Sequence, residues 1–545
     1  MLNLSEGGWR IAAGGLLLAT LLLYLLNLGA VPLFDGDEPR YAQAAREMSE
    51  RGDWLTPTFN GELRFQKPIL FYWCLRLSYG AFGIGEASGR IWAGLATILT
   101  VLLVLWFCAR RLGRLPALVA ASAVAFNAQA IVVGRAVTPD ALLCLLLTSS
   151  LLSFYEAYTR EDGRSTRLYL LAWVLAALAT LTKGPIGIGI PLLVAGLFAL
   201  SERRLPVLLR EGRPLLGLLL FTLIAGPWFL AMTMMYGRTF TGFFFGQEHL
   251  ERFTHTMEEH SGPFFYYPLA VAGLFYPWSG LVPVGAWLAA RFRTLAPAPD
   301  PEIRLGRFAL IWVALVFFVF TLSRTKLPHY VYPAYPALAI LTALCWSRVV
   351  SGALSTRLVR ANFLLAALPV AGVVTVAAVG LALPQLTAKL DVPNDLRYKV
   401  LGMLLFSAFW VALGLWELKR QQPDRSRFAL AAGAMVLCFG LALGVAPPVH
   451  ELFCGGLVRL SRRAGQLAPA GRFAVWRGEH SATVFYFGHP GVQTVREHRQ
   501  LRAWEHEGKD TLLVTRTRHA EELQRHADLV ADDHGFSLFR LRKRM

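Results

Sequence analysis

Charged residues are scarce in this chain. Asp, Glu, Lys and Arg make up 17% of its 545 residues, hydrophobic residues make up 55%, and the mean hydropathy is +0.45. Soluble domains carry about 25% charged residues. Apolar runs of about 20 residues, each long enough to cross about 30 Å of hydrocarbon, recur along the sequence. The composition excludes an ordinary soluble protein and predicts a polytopic α-helical membrane protein.

Cysteine is scarce too, and the common cofactor-binding motifs are missing. The six cysteines are scattered, mostly in apolar segments, and form no CxxC pair. They indicate small core side chains rather than a disulfide or metal framework. No phosphate-binding loop, GxGxxG or HExxH pattern stands in its proper context. The sequence therefore gives no support to a nucleotide-dependent enzyme or a zinc protease.

Apolar segments suggest about thirteen membrane spans. They lie near residues 9–31, 89–109, 115–134, 139–158, 168–182, 184–200, 214–236, 265–289, 308–322, 330–350, 361–383, 399–418 and 428–447. This assigns residues 1–448 to a transmembrane domain with an outer loop at 32–88. We expect a soluble α/β domain at 449–545, because RFAVWRGEHSATVFYFG and KDTLLVTRT alternate like strands and HAEELQRHADLV has helical spacing.

The distribution of basic residues predicts the orientation in the membrane. Connections such as RRLGR, ERRLPVLLREGR and ELKRQQPDRSR occupy every second loop, so they are expected to be cytoplasmic. The other loops, and with thirteen spans the C-terminal domain, then face outward. Those outer loops contain most of the ionisable residues that lie against a membrane face. The outer side is therefore the expected working side, and the net charge of +18 favours contact with anionic lipid over nucleic acid.

The first outer loop contains two amphipathic segments. In PRYAQAAREMSERG, Tyr41, Ala45 and Met48 share one stripe, while Gln43 and Glu47 face elsewhere. KPILFYWCLRLSYGAFG is rich in aromatic residues but too short and too charged to span a bilayer. Both segments predict helices that lie in the membrane interface.

Two acidic residues mark the outward ends of helices. Asp37 precedes Pro39 and Asp140 follows Pro139, so each carboxylate is a candidate helix cap. The second interpretation is functional. Two carboxylates and several cations on one membrane face are typical of a site for a charged phosphate substrate.

The basic residues of these loops can likewise be interpreted as structural residues or as phosphate ligands. Lys67 and Lys183 lie at membrane boundaries beside proline, where a lysine can also extend along the apolar surface to reach water. His249 and Arg252 share one helix face, and an arginine fork suits phosphate oxygens. His249 is either a metal ligand or a polar loop residue. The segment SRTKLPHYVYP adds Lys326, His329 and Tyr330.

Four motifs together resemble a known family. DGDEPRYAQAAREMSERGDWLTPTFNGELRFQKPILFYW, GRAVTPDALL, ALATLTKGPIG and SRTKLPHYVYPAYPALA resemble bacterial glycosyltransferases related to protein O-mannosyltransferases, which have the GT-C membrane fold. The resemblance extends from Leu33 to Leu341 and is weaker beyond. Its layout is most similar to members that transfer 4-amino-4-deoxy-L-arabinose to lipid A. Where such proteins have an acid before Lys-Pro, this chain has Gln66.

The resemblance implies a function and a set of site residues. Sugar would pass from undecaprenyl phosphate to a lipid A phosphate at the periplasmic face of the bacterial inner membrane, a modification associated with polymyxin resistance. The enzyme would be a monomer with no nucleic-acid partner. The catalytic candidates are Asp37, Glu38 and Asp140; the candidates for the donor phosphate are Lys67, Arg252, Arg40 and Lys183; and further candidates are Tyr41, Lys326, His329 and Tyr330. No cofactor follows from the sequence, and a divalent metal, with His249 and Glu86 as ligands, is left open.

Two alternative functions remain open. One is the same chemistry on a protein or another envelope glycan. The other is a lipid transporter or flippase with a periplasmic domain. Transporters usually show internal repeats and charges near the bilayer midplane, whereas the charges here gather at one face.

Overall fold

The computed structural model describes residues 5–160, 165–251, 262–291, 300–361, 364 and 394–543, without the side chains of 249–251 and 423. In this part of the chain, eight helical stretches are long and apolar enough to cross a membrane, or nine if one bent pair is a single span. The stretches are Glu6–Leu25, Glu86–Arg111, Asp140–Thr159, Pro214–Glu248, Pro301–Leu322, Pro328–Val350, Asn394–Lys419 and Asp424–Leu467. The protein is therefore a multi-pass membrane protein.

Nine helices lie in the first 201 residues of the described chain. They are α1 (Glu6–Leu25), α2 (Asp37–Glu50), α3 (Leu70–Phe82), α4 (Glu86–Arg111), α5 (Arg114–Ala125), α6 (Ala128–Gly134), α7 (Asp140–Thr159), α8 (Thr166–Lys183) and α9 (Ile186–Ser201). Later α-helices are Leu205–Glu211, Pro214–Thr241, Tyr266–Leu274, Val282–Ala290, Pro301–Leu322, Tyr335–Val350, Asn394–Lys419, Pro423–Phe439, Ala446–His450, Gly456–Leu467, Ser481–Phe487, His498–Glu507 and Ala520–Leu523.

Several predicted spans have a different form in the structure. Residues 115–134 form the bent pair α5 and α6, whose axes meet at 58°. The segment at 265–289 is broken at Trp278–Gly280, a short 3₁₀ turn. Most of the predicted span at 361–383 lies outside the described residues. The count of thirteen thus stays a prediction.

The two predicted amphipathic helices of the first outer loop are confirmed as α2 and α3. Their setting differs from the expected membrane interface, because α2 is buried on most of its surface, including Gln43 and Glu47. The side chain of Glu47 accepts hydrogen bonds from the backbone N–H groups of Asn60, at 2.7 Å, and Gly61, at 3.2 Å. These residues form the turn of a hairpin, and buried backbone donors need such partners. The side of α2 that bears Gln43 and Glu47 is therefore occupied by protein rather than by water.

The hairpin is short, with β1 (Thr58–Phe59) antiparallel to β2 (Glu62–Leu63). Asn60 and Gly61 both have positive φ, 58° and 82°, as an Asn-Gly hairpin turn requires. The chain leaving the hairpin passes directly to the Lys-Pro segment and α3. The hairpin thus determines where the residues between β2 and α3 lie.

A five-stranded sheet lies near the C-terminus, in the order β4-β3-β5-β7-β6. The strands are β3 (Arg472–Trp476), β4 (Gln493–Val495), β5 (Thr511–Arg516), β6 (Ala527–Asp533) and β7 (Phe536–Leu541). β3 pairs in parallel with β4 and β5, and β7 is antiparallel to its neighbours. Helices Ser481–Phe487 and His498–Glu507 make the two crossovers that parallel pairing demands.

Two local predictions in this region are wrong. The segment SATVFYF, expected to alternate as a strand, is the helix Ser481–Phe487. All seven of its residues are buried, so no polar stripe reveals a helical period. In HAEELQRHADLV, only Ala520–Leu523 is α-helical, after a 3₁₀ turn that ends at His519, and Ala527 begins β6 because that stretch pairs with β7.

Candidate functional site

A cavity of about 920 Å³ opens among α2, the Lys-Pro segment, α7, α8 and α9. Its wall contains eight of the residues predicted from sequence: Asp37, Arg40, Tyr41, Lys67, Asp140, Lys183, His329 and Tyr330. They come from segments as far apart as residues 37 and 330, yet the fold places them around one space. The rest of the wall is largely apolar and includes Ile186, Ile190, Leu193, Phe243, Phe245, Val319 and Phe320.

Asp37 lies at the start of α2, where a glycine turns the chain. Gly36 has φ of +113°, a conformation that L side chains rarely adopt. Gly36 is the N-cap, and the helix start has no side-chain cap hydrogen bond, so the capping interpretation of Asp37 is wrong. The carboxylate is 57% exposed and, within the described chain, forms one ion pair, with Arg40 at 3.9 Å. Asp37 is therefore accessible from the cavity.

Asp140 and Lys183 form a buried ion pair between α7 and α8. Pro139, not Asp140, occupies the N-cap position of α7, and no side-chain cap is made there. Lys183 is the last residue of α8, and its ammonium also lies 5.5 Å from the Tyr330 ring centroid. Its charge is thus held inside the protein rather than at a lipid surface.

The KGPIG sequence explains how Lys183 is placed. Gly184 has φ of +82° and ends α8, and α9 begins two residues later at Ile186. A Cβ on Gly187 would lie 2.2 Å from the backbone nitrogen of Thr180, so only glycine permits this close approach. The tight turn packs α9 against the end of α8.

Lys67 forms an ion pair with Glu248, 181 residues away, and donates a hydrogen bond to the Gln66 carbonyl at 3.1 Å. The Gln66 side chain also lines the cavity. Sequence reasoning missed Glu248, although it singled out His249 and Arg252 in the same segment. Its position in the charged segment GQEHLERF could have marked Glu248 as a candidate. The sequence does not show which cation it pairs with.

Arg64 is a second cavity residue that sequence reasoning missed. Its Nε donates a hydrogen bond to the Tyr72 hydroxyl at 3.1 Å, and its guanidinium lies 5.2 Å from the centre of the Tyr41 ring. Burial raises the pKa of Tyr41, and the nearby Asp37 charge adds to the shift, so the phenol stays neutral. The available signal was the Asn-Gly turn, which predicts a hairpin leading into Arg64.

Other predicted residues lie outside the cavity wall. Glu38 is buried and accepts two hydrogen bonds from Arg90, at 3.0 and 2.9 Å. Lys326 is buried and donates to the Ser323 carbonyl at 2.7 Å. Arg252 and the His249 side chain lie outside the described residues.

The suggested metal ligand Glu86 has other partners. Its carboxylate accepts hydrogen bonds from Arg462, at 2.9 Å, and from the Tyr486 hydroxyl, at 3.1 Å. Over the described ranges, no group of three or more His, Cys, Asp or Glu side chains is arranged to hold a metal ion. The residues placed here therefore do not form a metal site around Glu86.

The C-terminal region contacts the loop that bears Asp37. Asp35 accepts hydrogen bonds from the Ala482 N–H at 2.9 Å and the Ser481 hydroxyl at 3.0 Å, and its carboxylate lies 2.7 Å from Nδ1 of His480. Burial opposes ionisation of Asp35, but the hydrogen bonds from His480 and Ala482 outweigh it and hold the pKa of this carboxyl below its usual value. We call these contacts of Asp35 with residues 480–482 the Asp35 latch.

Comparisons with known proteins agree with this architecture. Residues 66–230 match the family model described as dolichyl-phosphate-mannose-protein mannosyltransferase. The structure aligns with the crystal structure of ArnT from Cupriavidus metallidurans bound to undecaprenyl phosphate, with a TM-score of 0.80, 25% identity and coverage of 98% of both chains. An oligosaccharyltransferase from Archaeoglobus fulgidus, at 14% identity and a TM-score of 0.52, shares the fold. The class is therefore that of GT-C membrane glycosyltransferases.

Sequence relatives define the family more closely. A protein of Pectobacterium carotovorum named undecaprenyl phosphate-α-4-amino-4-deoxy-L-arabinose arabinosyl transferase is 30% identical over 451 residues, which cover 82% of this chain and 77% of that protein. A relative of the same name from Aeromonas salmonicida is 34% identical over 332 residues, 59% of this chain. The chain belongs to the family of undecaprenyl phosphate-α-4-amino-4-deoxy-L-arabinose arabinosyl transferases. Its alignments span 58% and 59% of the lengths of two relatives, those of Aeromonas salmonicida and Edwardsiella ictaluri.

Proposed function

We propose that this protein transfers 4-amino-4-deoxy-L-arabinose from undecaprenyl phosphate to a phosphate group of lipid A. The observation that supports it most is the single cavity in which Asp37, Arg40, Lys67 and Lys183 meet. Family membership supports the choice of sugar and lipid carrier. Lipid A as the acceptor rests on the sequence resemblance.

The mixed wall of the cavity suits a lipid-linked sugar. The cations lie beside aliphatic and aromatic side chains of α9 and of the helices Pro214–Glu248 and Pro301–Leu322. Apolar side chains of this kind favour a polyprenyl chain, because its transfer out of water is favourable. The charged end then accommodates the phosphate and sugar.

The proposed reaction breaks the bond between the sugar's anomeric carbon and the carrier phosphate oxygen. The same carbon forms a new bond to an oxygen of the acceptor phosphate, and undecaprenyl phosphate leaves with the bonding electron pair. Lys67 and Arg40, with Lys183 nearby, would stabilise the charge on that leaving phosphate. Fixed cations aimed at developing charge are usually the largest single contribution to catalysis. Arg252 is proposed for the same task.

The role proposed for Asp37 depends on the acceptor. A lipid A phosphate is already anionic near neutral pH, so removing a proton contributes little. Asp37 would then bind the ammonium group of the donor sugar and orient it in the cavity. With a hydroxyl acceptor, the same carboxylate could act as general base. Asp140 would hold Lys183 in place, while Tyr41, His329 and Tyr330 shape the wall.

We also propose the membrane arrangement that the loop charges predict. The protein would lie in the bacterial inner membrane as a monomer with about thirteen spans, its basic loops in the cytoplasm. The cavity and a soluble α/β domain at 449–545 would face the periplasm. Accessibility of single cysteines to a membrane-impermeant reagent from the periplasm would test this orientation. A cysteine in place of Asp53 should be labelled, and a cysteine in place of Arg203 should not. The reverse pattern contradicts the proposed orientation.

The function is tested in a bacterial strain that makes the donor but lacks its own aminoarabinose transferase. Expression of this chain should add aminoarabinose to lipid A phosphates, as detected by mass spectrometry of extracted lipid A. Empty vector is the control. Unmodified lipid A together with newly glycosylated envelope proteins or glycans would favour the alternative acceptor. Donor lipid that changes leaflet without sugar transfer would favour a flippase.

A further inference from the structure

Arg64 lies in the wall of the cavity, directly after the β1–β2 hairpin. Its backbone N–H donates to the Pro57 carbonyl at 2.9 Å, which continues the hairpin by one bond. The residue is 6% exposed, so its long side chain is almost wholly inside the protein. The guanidinium is therefore a buried charge beside the site.

The contacts of Arg64 do not balance this charge. Tyr72 accepts one hydrogen bond from Nε, and Tyr41 supplies its ring face. Burial raises the pKa of both phenols, which keeps them neutral. Among the described residues, no carboxylate lies within ion-pair distance of Arg64. A buried charge is costly unless an opposite charge and hydrogen bonds compensate it, and a cation–π contact compensates only in part.

The other cations of the cavity wall differ from Arg64 in this respect. Lys67 is paired with Glu248, Lys183 with Asp140, and Arg40 lies 3.9 Å from Asp37. A phosphate that approaches either lysine must compete with, or share, an existing carboxylate. Within the described chain, Arg64 has no carboxylate at ion-pair distance, and Asp37 acts on it only at longer range. An anion beside it would restore the missing charge balance.

We propose that Arg64 binds a phosphate oxygen of a lipid-linked substrate in this cavity, an inference that rests on the proposed function. The planar guanidinium has two terminal amino groups that are not needed for its bond to Tyr72. An arginine fork matches phosphate oxygens and forms strong, charge-assisted hydrogen bonds with them. The phosphate is that of the donor lipid or that of the acceptor, since both have this chemistry.

Lipid binding to the purified full-length protein in nanodiscs tests the proposal. The probes are undecaprenyl phosphate, uncharged undecaprenol, and lipid A with and without its phosphates. Arg64→Gln should weaken binding of one phosphate lipid by about 10- to 100-fold, which is the effect expected from losing a hydrogen bond to a charged group. Binding of undecaprenol or dephosphorylated lipid A should be unchanged. A loss with undecaprenyl phosphate assigns Arg64 to the donor, and a loss with lipid A assigns it to the acceptor.

Two controls keep the outcome clear. Arg10→Gln removes an exposed arginine outside the cavity wall and should bind all probes as wild type does. If Arg64→Gln does not fold, Arg64→Lys retains the charge without the fork and should show a smaller loss with the same lipid. Folded Arg64 variants that bind both phosphate lipids like wild type would overturn the proposal. A wild-type protein that binds neither phosphate lipid would instead count against the proposed function itself.

Discussion

Replacing Glu38 by glutamine should destabilise the protein, although the adjacent Asp37 is exposed to the cavity. The two acids are neighbours on α2 but point to different surroundings. The Glu38 side chain is 7% exposed, and that of its partner Arg90 is 5% exposed. Glu38 also accepts hydrogen bonds from the backbone N–H groups of Phe34, at 2.9 Å, and Val137, at 2.8 Å. It therefore joins the loop between α1 and α2 to α4 and to the turn before α7.

The size of the effect follows from the charge left behind. Glutamine keeps the shape of Glu38 but leaves the Arg90 guanidinium buried without its counter-charge. Breaking a buried ion pair by removing one partner costs about 3–5 kcal/mol. Arg90 also donates to the backbone carbonyls of Leu28, at 2.8 Å, and Pro32, at 3.0 Å, and these bonds would persist. Glu38 accepts from two N–H donors at each oxygen, so the NH₂ group of glutamine would face two donors in either orientation. The upper part of the range is therefore expected.

Thermal unfolding of the purified protein in detergent measures this effect. Glu38→Gln should unfold at a clearly lower temperature than wild type. The matched control is Glu50→Gln, on the same helix, because Glu50 is 49% exposed and pairs only with Arg46 in the described structure. Exposed pairs of this type contribute little. A Glu38→Gln protein with wild-type stability but no transferase activity would show that the Glu38–Arg90 pair does not stabilise the fold, and Glu38 would again be a catalytic candidate.

Three further predictions concern Lys67, Asp35 and His480. Lys67→Ala should lose more transferase activity in a purified assay than Lys326→Ala at equal protein level, because Lys67 lines the cavity and Lys326 does not; equal losses would contradict this ranking. Asp35→Asn should lower the thermal stability at neutral pH and flatten its acid dependence, since a carboxyl with a lowered pKa stabilises the fold above its unfolded-state pKa and loses that contribution as pH falls through the folded value. His480→Gln should also lower the thermal stability, because it removes one contact of the Asp35 latch. If the unfolding curves of Asp35→Asn match those of wild type from neutral to acid pH, the Asp35 latch does not stabilise the protein.

Sequence patterns predicted those helices and strands that depend only on residues close together in the chain. The apolar stripe of Tyr41, Ala45 and Met48 predicted α2, and these residues are buried in the structure. The setting of α2 could not be predicted, because it depends on a hairpin turn that reaches Glu47. The Asp37 cap was a reasonable local inference, but Gly36 takes that position.

The composition of the site was predictable only in part. Acids and cations next to proline at membrane boundaries indicated Asp37, Lys67, Asp140 and Lys183, and the fold places all four around one cavity. Their pairing was not predictable, since Lys67 meets Glu248 across 181 residues. The helix Ser481–Phe487 was missed for a related reason: burial on every side removes the polar positions from which a helical period is recognised.

If Asp37 binds the donor sugar in this cavity, loss of its charge should abolish sugar transfer. Lipid A is extracted from a donor-producing strain that lacks its own transferase and carries wild type, Asp37→Asn or the control Glu50→Gln, and is analysed by mass spectrometry. Wild type and Glu50→Gln should add aminoarabinose, while Asp37→Asn should add none at an equal level of folded protein. Substantial modification by the Asp37→Asn variant would show that transfer does not depend on this carboxylate.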